Sequence, residues 1–289
     1  MTSTCRSRFG CKSLTWLTAA PLLCPVLLAL ASSGTPSQGP ALPAGARTRW
    51  IVADPHEIVV YVTFDPARVE RERTRTLRFI TIDELAAGEV RWAADYLARH
   101  PAHRNWGISF LEIIRAGTFT IDGRTPDWRT HGAAALWCAR VAPSDPTADV
   151  GPGRPLLVLG FWVPDRAYVT YVRGRGHYAT YGNVTLEDDV AGTWRGSVDT
   201  GDLAVTARCV PSGAVTGGAG SAGAQVLFPP LSSGMRDIVR VAFAGHRERE
   251  CGDGSSWQLR GIHPLAGGVV LEPSVLQFGY ELSGGAYAR

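Results

Sequence analysis

The chain has 289 residues, a formal net charge of +3, and hydrophobic residues at 45% of its positions. Lysine occurs once, as Lys12, and arginine supplies the other cationic side chains. The chain beyond Lys12 therefore has no residue for a lysine Schiff base or a phosphate-loop lysine, which excludes both kinds of site there. No G-x-S-x-G motif is present, so the sequence offers no nucleophile elbow either.

The N-terminal residues have the pattern of a secretory signal peptide. Three basic residues precede an apolar run at 14–31, which contains two prolines and ends in Ala-Leu-Ala. We predict a signal peptide at 1–31 with cleavage before Ser32, and a membrane anchor is the alternative. No later stretch has the roughly 20 apolar residues of a spanning helix, so the mature chain is predicted to be secreted and extracellular.

Removal of residues 1–31 changes the charge and the cysteine content. Three of the 29 Lys and Arg residues lie in this segment, which leaves 26 arginines against 26 acidic residues and a net charge of zero. Nucleic acid is therefore not an expected partner. The remaining cysteines, Cys138, Cys209 and Cys251, allow one disulfide and one odd thiol in an oxidising compartment. Their pairing stays open, and the odd cysteine could link a homodimer.

The mature chain is predicted to be one domain. Residues 32–48 are rich in Ser, Pro and Gly and are predicted to be a disordered arm, which leaves 49–289 for the domain. Short apolar and β-branched runs separated by turn residues, beginning with HEIVVYVTF at 56–64, predict a mainly β protein, a two-sheet β-sandwich. The run AYVTYVRG at 167–174 is interpreted as strand, and the Gly-rich segment 214–225 as a surface loop rather than a nucleotide site.

One or two short helices are expected to pack on one face of the sandwich. Residues 83–100 combine helix formers with apolar residues near helical spacing; Thr81 or Asp83 could cap this helix, and Pro101 ends it. WGISFLEIIRAG at 106–117 could be a second helix or a strand. His100 and His103 are interpreted as solvated histidines at a helix end rather than as metal ligands, and no metal or cofactor is predicted.

The segment YGNVTLEDDVAG at 181–192 places a glycosylation sequon at Asn183 beside three consecutive acids. The acids are interpreted as an exposed connection between two late strands, at most at the rim of a surface for a basic ligand. An acid–base dyad among them is the enzymatic alternative. Since aromatic residues on a sheet face make good binding anchors, the candidate ligand-binding residues are Glu187, Asp188, Asp189, Tyr171, Tyr178 and Tyr181.

A basic stretch follows the first predicted strand and is interleaved with Glu70 and Glu72. Such a stretch could bind a sulfated glycosaminoglycan, and a solvated loop whose charges neutralise one another is the alternative. Its cationic residues are Arg68, Arg71, Arg73, Arg75 and Arg78.

From Asn183 to Cys209, the order of sequon, VTLEDDVAGTW and DLAVTARC resembles the C-terminal half of the secreted poxvirus immune-evasion domain. This family includes the CC-chemokine-binding proteins and the parapoxvirus inhibitor of granulocyte-macrophage colony-stimulating factor and interleukin-2. The opening run HEIVVYVTF and the signal peptide agree with the resemblance. The neutral mature charge departs from the acidic character of the family's chemokine traps.

The resemblance implies a β-sandwich that binds a host chemokine or cytokine on a sheet face and blocks its receptor engagement. It also implies a protein that is not an enzyme. A secreted hydrolase with a carboxylate dyad and an envelope-associated interaction protein are the alternatives.

Overall fold

The computed structural model describes residues 48–69, 77–88, 90–121, 123–127, 133–145, 155–174, 178–227, 237–271, 275–278 and 281–288. The predicted signal peptide and residues 32–47 of the predicted arm lie outside these ranges. Within them, no helix has both the length and the apolar character needed to cross a membrane.

The described chain is mainly β, which confirms the predicted class. It contains three short α-helices, α1 (Ile82–Ala87), α2 (Arg91–Arg99) and α3 (Arg166–Gly174), and single 3-10 turns at Pro66–Arg68, Pro101–His103 and Pro264–Gly267. The strands are β1 (Thr48–Phe64), β2 (Leu77–Phe79), β3 (Gly107–Ile121), β4 (Ala134–Pro143), β5 (Pro155–Val163), β6 (Thr180–Tyr181), β7 (Asn183–Asp188), β8 (Trp194–Asp199), β9 (Leu203–Cys209), β10 (Pro211–Leu227), β11 (Asp237–Cys251), β12 (Ser256–Gly261), β13 (Val275–Phe278) and β14 (Glu281–Ala288).

The larger of the two sheets closes on itself. β1 pairs with β3, β3 with β4, and β4 with β5, all antiparallel. β5 pairs in parallel with β10, β10 pairs with β11, and β11 returns to β1 through both β13 and β14. β2 and β6 extend this ring from β4 and β5. The sandwich prediction did not include this closure, because it depends on pairings between strands that are far apart in sequence.

The second sheet has four strands in the order β12-β9-β8-β7 and packs on one face of the ring. Ile58, Leu111 and Trp137 of the ring lie in the same buried cluster as Leu186 and Val198 of the small sheet. The structure therefore confirms a mainly β fold with more than one sheet and short helices, while the larger sheet is a closed ring and not one layer of an open sandwich. The opposite face of β1, β3, β4 and β5 is called the helix face here, because α1 and α2 pack at one end of it and α3 at the other.

The helix predicted at 83–100 is two helices in the structure. Gly88 ends α1, and Thr81 is its N-cap in a capping box with Glu84, while α2 ends at Arg99 before Pro101. The segment WGISFLEIIRAG, which the sequence left open, lies in β3.

Two sequence predictions of secondary structure are wrong. Residues 166–174, within and next to a predicted strand, form α3, whose start is held by the carboxylate of Asp165 accepting the Tyr168 N–H at 2.9 Å. Tyr168, Val169 and Val172 are its buried residues, a helical spacing that the strand interpretation overlooked. The Gly-rich segment 214–225 lies in β10, because its backbone pairs with β11 despite low strand propensity.

Candidate functional site

Two glutamates meet on the helix face, in the middle of the longest strand pair of the ring. The register of β1 and β3 places Glu57 opposite Ile114 and Val59 opposite Glu112. Glu57 and Glu112 are thus diagonal neighbours on one face, close enough for long side chains to touch. Their carboxyl groups are hydrogen-bonded to each other.

The two carboxyl groups differ in exposure. Glu57 is 0% exposed, whereas Glu112 is only partly buried. Burial raises the pKa of Glu57 well above the usual carboxyl value, and the neighbouring Glu112 raises it further. Burial also raises the pKa of Glu112, while the hydrogen bond from Glu57 opposes that rise. Because two adjacent carboxylates repel each other, this arrangement favours a protonated Glu57 that donates to the Glu112 carboxylate.

Apolar side chains and one thiol surround the pair. The register sets Leu136 opposite Glu112 and Cys138 opposite Phe110, in adjacent rows of the helix face. Cys138 is buried and is the free cysteine of the described residues. Burial, and then the charge of Glu112, raise the pKa of the Cys138 thiol well above its ordinary value. Cys138 is therefore a protonated thiol and a poor nucleophile at neutral pH.

This arrangement supplies a proton donor and a proton acceptor side by side in apolar surroundings. Such a pair can act as general acid and general base. Across the described ranges, no group of three or more His, Cys, Asp or Glu side chains could hold a metal ion.

Sequence reasoning missed both glutamates. Each stands as a single acid inside an apolar strand run, in HEIVV and in SFLEII. That placement was the available signal, because a charged residue seldom becomes fully buried unless it is paired. The two runs are far apart in the chain, so only the pairing of β1 with β3 brings the acids together.

The predicted acidic candidates lie at the end of β7 and in the turn to β8. Asp188 accepts a hydrogen bond from Arg115 at 2.9 Å, which lowers the pKa of the Asp188 carboxyl. Asp189 accepts the N–H groups of Ala191 and Thr193, and Gly192 completes the turn with a φ of 74°. These contacts place Asp188 at the end of a strand and Asp189 in the turn that follows it, and the ligand-binding and acid–base roles of the three acids stay predictions.

The predicted aromatic candidates do not share a strand face. Tyr171 lies on α3 with the Arg124 guanidinium 4.6 Å from its ring centroid, and Tyr178 packs partly buried against the α3 cluster. Tyr181, on β6, donates to the side-chain oxygen of Asn183 at 2.8 Å. Asn183 is exposed at the start of β7, and its glycosylation stays a prediction.

The basic stretch falls largely outside the described residues, which omit Arg71, Arg73 and Arg75. At its ends, Arg68 donates to the Ile262 carbonyl at 3.1 Å and Arg78 pairs with Glu84 at 2.7 Å. Glycosaminoglycan binding by this stretch stays a prediction.

The disulfide joins Cys209 to Cys251 and so links β9 of the small sheet to β11 of the ring. This pairing decides the alternatives that the sequence left open. Cys138 is the odd cysteine, and a homodimer linked through it stays a prediction about a buried side chain.

No protein-family model matches the sequence, and no curated protein matches it. Among solved structures, the chain is similar to an acetoacetate decarboxylase-like enzyme from Sphingomonas wittichii RW1, with 11% identity and a TM-score of 0.48 over 89% of this chain and 99% of that chain. It is also similar to the enduracididine biosynthesis enzyme MppR complexed with pyruvate, with 10% identity and a TM-score of 0.45 over 91% of this chain and 93% of that chain. At these identities and scores, no residue role is carried over from either enzyme.

These matches correct the resemblance drawn from residues 183–209. The identification with the secreted poxvirus immune-evasion domain is wrong: the solved structures that match 89% and 91% of the chain are described as an acetoacetate decarboxylase-like enzyme and a biosynthesis enzyme. The decoy function, with its chemokine or cytokine binding and immune evasion, is wrong for the same reason, and so is the prediction that the chain is not an enzyme. The physical cause is that a strand–turn–strand pattern suits many antiparallel sheets and does not encode how the larger sheet closes.

Proposed function

We propose that the chain is an enzyme whose reaction includes a proton transfer carried out by Glu57 and Glu112. The observation that carries this proposal is the hydrogen-bonded pair on the helix face, with one carboxyl group fully buried and the other partly accessible. A carboxyl group whose pKa is raised by burial exchanges protons nearer to neutral pH than an ordinary one.

The two glutamates have different roles in this proposal. Glu112 is the partly accessible member, so its carboxylate is the group that takes a proton from the substrate and returns one to it. Glu57 is fully buried and acts as a positioning residue that holds the shared proton and orients Glu112. Phe110 and Leu136 keep the surroundings apolar, which strengthens the electrostatic coupling between the carboxyl groups.

Covalent catalysis has no good candidate beside this pair. The chain has no lysine after Lys12, so no Schiff base can form there. Cys138 is held as a neutral thiol by burial and by the charge of Glu112. Proton transfer is the chemistry that the remaining groups support.

A hydrogen–deuterium exchange assay tests the proposal. The purified protein is incubated in D₂O with pyruvate, which one of the similar enzymes is complexed with, and with acetone as an uncharged carbonyl probe. Proton NMR follows replacement of a carbon-bound hydrogen by deuterium, a step in which the substrate proton leaves to solvent as HDO. We expect exchange above the buffer rate for at least one probe and a loss of roughly 100-fold or more in Glu112→Gln.

Glu187→Gln is the matched control, because Glu187 is an exposed acid on β7 away from the helix face. Its exchange rate should equal that of the unaltered protein. A ¹³C NMR titration of the two glutamate carboxyl groups gives a second test that needs no substrate. Ordinary carboxyl pKa values for both Glu57 and Glu112 would remove the proposal.

The chain is also proposed to be secreted after cleavage before Ser32. The basic and apolar N-terminal pattern supports this, and the Cys209–Cys251 disulfide is in keeping with an oxidising compartment. N-terminal sequencing of protein recovered from the medium of expressing cells should begin at Ser32. Recovery of the chain only in the cell pellet, with Met1 retained, contradicts this proposal.

A further inference from the structure

A helical cover lies on the helix face near the end of β1 and the start of β3. This cover comprises residues 81–88 and 90–106, with α1, α2 and the turn Pro101–His103. Ile82, Tyr96 and Leu97 of the cover are buried against Ile108 of β3. The returning segment 269–271 runs along β1 and packs on the same cluster, with Leu271 donating to the Tyr61 carbonyl at 3.0 Å.

A chain of hydrogen bonds ties the cover to β1 and to the returning segment. The Val269 N–H lies 3.3 Å from Thr63 Oγ1, Thr63 Oγ1 lies 3.0 Å from the Tyr96 hydroxyl oxygen, and that oxygen lies 2.6 Å from His103 Nδ1. Thr63 is 0% exposed and Tyr96 is 2% exposed, so water does not readily replace these bonds. His103 is the partly accessible end of this series of hydrogen bonds, and its ring stacks on Trp106 with ring centroids 3.6 Å apart.

The direction of these hydrogen bonds depends on where neutral His103 carries its proton, and the Nε2–H tautomer lets the series start at the Val269 N–H, a fixed donor. The Val269 N–H donates to Thr63, the Thr63 hydroxyl donates to Tyr96, and the Tyr96 hydroxyl donates to Nδ1 of an imidazole protonated at Nε2. A doubly protonated imidazole has no acceptor, so Nδ1–H must donate to Tyr96 and both hydroxyls must reverse. The Thr63 hydroxyl then turns to the Val269 carbonyl at 3.4 Å, which already accepts the Thr63 N–H at 3.0 Å. When the hydrogen bonds are reversed, the series therefore ends in a longer hydrogen bond, to a Val269 carbonyl that already accepts another N–H.

We infer that Thr63, Tyr96 and His103 form a pH-sensitive anchor, in which neutral His103 fastens the helical cover to β1 and protonation of His103 loosens it. This inference concerns the cover and does not rest on the proton-transfer activity proposed for Glu57 and Glu112.

The surroundings of His103 favour its neutral form. Burial, and then the nearby His100, whose ring centroid is 5.2 Å away, lower the pKa of His103 from the ordinary value of 6.5. The neighbouring charged groups are Arg99 at the end of α2, and Arg104, which pairs with Asp83 of α1 at 2.6 Å. Thr63 of β1 and Val269 and Leu271 of the returning segment do not titrate.

The sign of the pH effect follows from this direction. The folded chain holds His103 with a pKa below that of the unfolded chain, so the unfolded state binds more protons as the solution is acidified. The anchor is therefore complete above about pH 6.5 and is lost as the pH falls through the lowered pKa of His103.

Hydrogen exchange of the whole chain, measured by mass spectrometry, tests the anchor. Peptides covering 91–106 are compared at pH 5.0 and 7.5 after correction for the intrinsic exchange rates. We expect roughly 3- to 10-fold more frequent opening at the lower pH, the range that one lost hydrogen bond gives. His103→Phe keeps a flat ring on Trp106 but removes the titration, so its opening should not depend on pH.

His100→Phe is the matched control within the same turn. It should keep the pH dependence but move its midpoint upward, because it removes one of the two causes of the lowered His103 pKa. A pH dependence that persists unchanged in His103→Phe overturns the inference. ¹⁵N NMR of the unaltered protein is the test that needs no variant: a neutral His103 that carries its proton on Nδ1 overturns the inference as well.

Discussion

Arg115 of β3 reaches across to β7, where it donates to the Asp188 carboxylate at 2.9 Å and to the Leu186 carbonyl at 3.0 Å. One side chain thus connects the ring to the small sheet. The contact is partly exposed, with 30% of the Arg115 side chain and 50% of the Asp188 side chain accessible. Asp188, a predicted ligand-binding residue, is thus part of a contact between the two sheets.

Separate replacement of Asp188 and Arg115 distinguishes the stability contribution of the ion pair from that of the Arg115 hydrogen bond to the Leu186 carbonyl. Asp188→Asn should cost less than about 1 kcal/mol of unfolding free energy, because exposed ion pairs contribute little. Arg115→Ala should cost about 1–2 kcal/mol, since the Leu186 carbonyl also loses its donor. Urea denaturation at pH 7 measures both, and equal costs for the two variants would contradict this division.

The same pair predicts a pH dependence. The Arg115 hydrogen bond depresses the pKa of Asp188 below its ordinary value of 3.8, so the folded state favours the carboxylate. Its stabilising contribution is present above pH 4 and is lost as the pH falls through the lowered pKa. Urea midpoints at pH 2.5 and 6 should differ less in Asp188→Asn than in the unaltered protein. An unchanged difference would contradict the prediction.

Glu57 predicts a pH effect of the opposite sign. The raised pKa means that the folded chain keeps Glu57 protonated while the unfolded chain releases the proton above its ordinary pKa of 4.5. Stability from this group is complete below pH 4.5 and is lost as the pH rises toward the raised value. Glu57→Gln removes the titration and can still donate to Glu112, so it should gain about 1 kcal/mol or more over the unaltered protein between pH 4.5 and pH 8.

Glu187→Gln, an exposed substitution, should show no such gain across the same pH range. Chemical denaturation at several pH values measures the difference for both variants. A Glu57→Gln curve that runs parallel to that of the unaltered protein would show that Glu57 titrates normally in the folded chain.

The Cys209–Cys251 disulfide predicts a large loss of stability on removal. It joins residues separated by 42 positions, and closing a loop of that size is worth about 4 kcal/mol in the unfolded chain. The double variant Cys209→Ser, Cys251→Ser should lose about that amount in urea denaturation. Cys138→Ala is the control: it leaves the disulfide intact and should cost only about 1 kcal/mol, the order expected for a small buried side chain.

Asp165 caps α3, the helix that lies where the sequence predicted a strand. Its carboxylate accepts the Tyr168 N–H at 2.9 Å and the Asp127 N–H at 2.8 Å. Asp165→Ala should cost about 1 kcal/mol through loss of this cap. Thr170→Ala, on the exposed side of α3, should change stability by less than about 0.5 kcal/mol. Equal losses for the two variants would argue against the cap.

Helix ends and turns could be predicted from the sequence, because residues close together in the chain determine them. Thr81 and Asp83 were alternative caps for the predicted helix and Pro101 its stop, and the structure selects Thr81, because caps and proline act over a few residues. The turn after β7 was recognisable, since the Asp189 side chain accepts the Ala191 N–H and Gly192 adopts a positive φ. The resemblance based on residues 183–209 misled, because such local patterns are compatible with many sheets.

The sequence by itself determined the mainly β class, the helix stop before Pro101, and the absence of lysine after Lys12. Only the tertiary structure decided the closure of the ring, the Cys209–Cys251 pairing and the meeting of Glu57 with Glu112. Strand register is set by packing between distant segments, and a shift of one residue would turn either glutamate to the opposite face. The raised pKa values of Glu57 and Glu112 follow from that register, because they arise from burial and proximity that neither strand has alone.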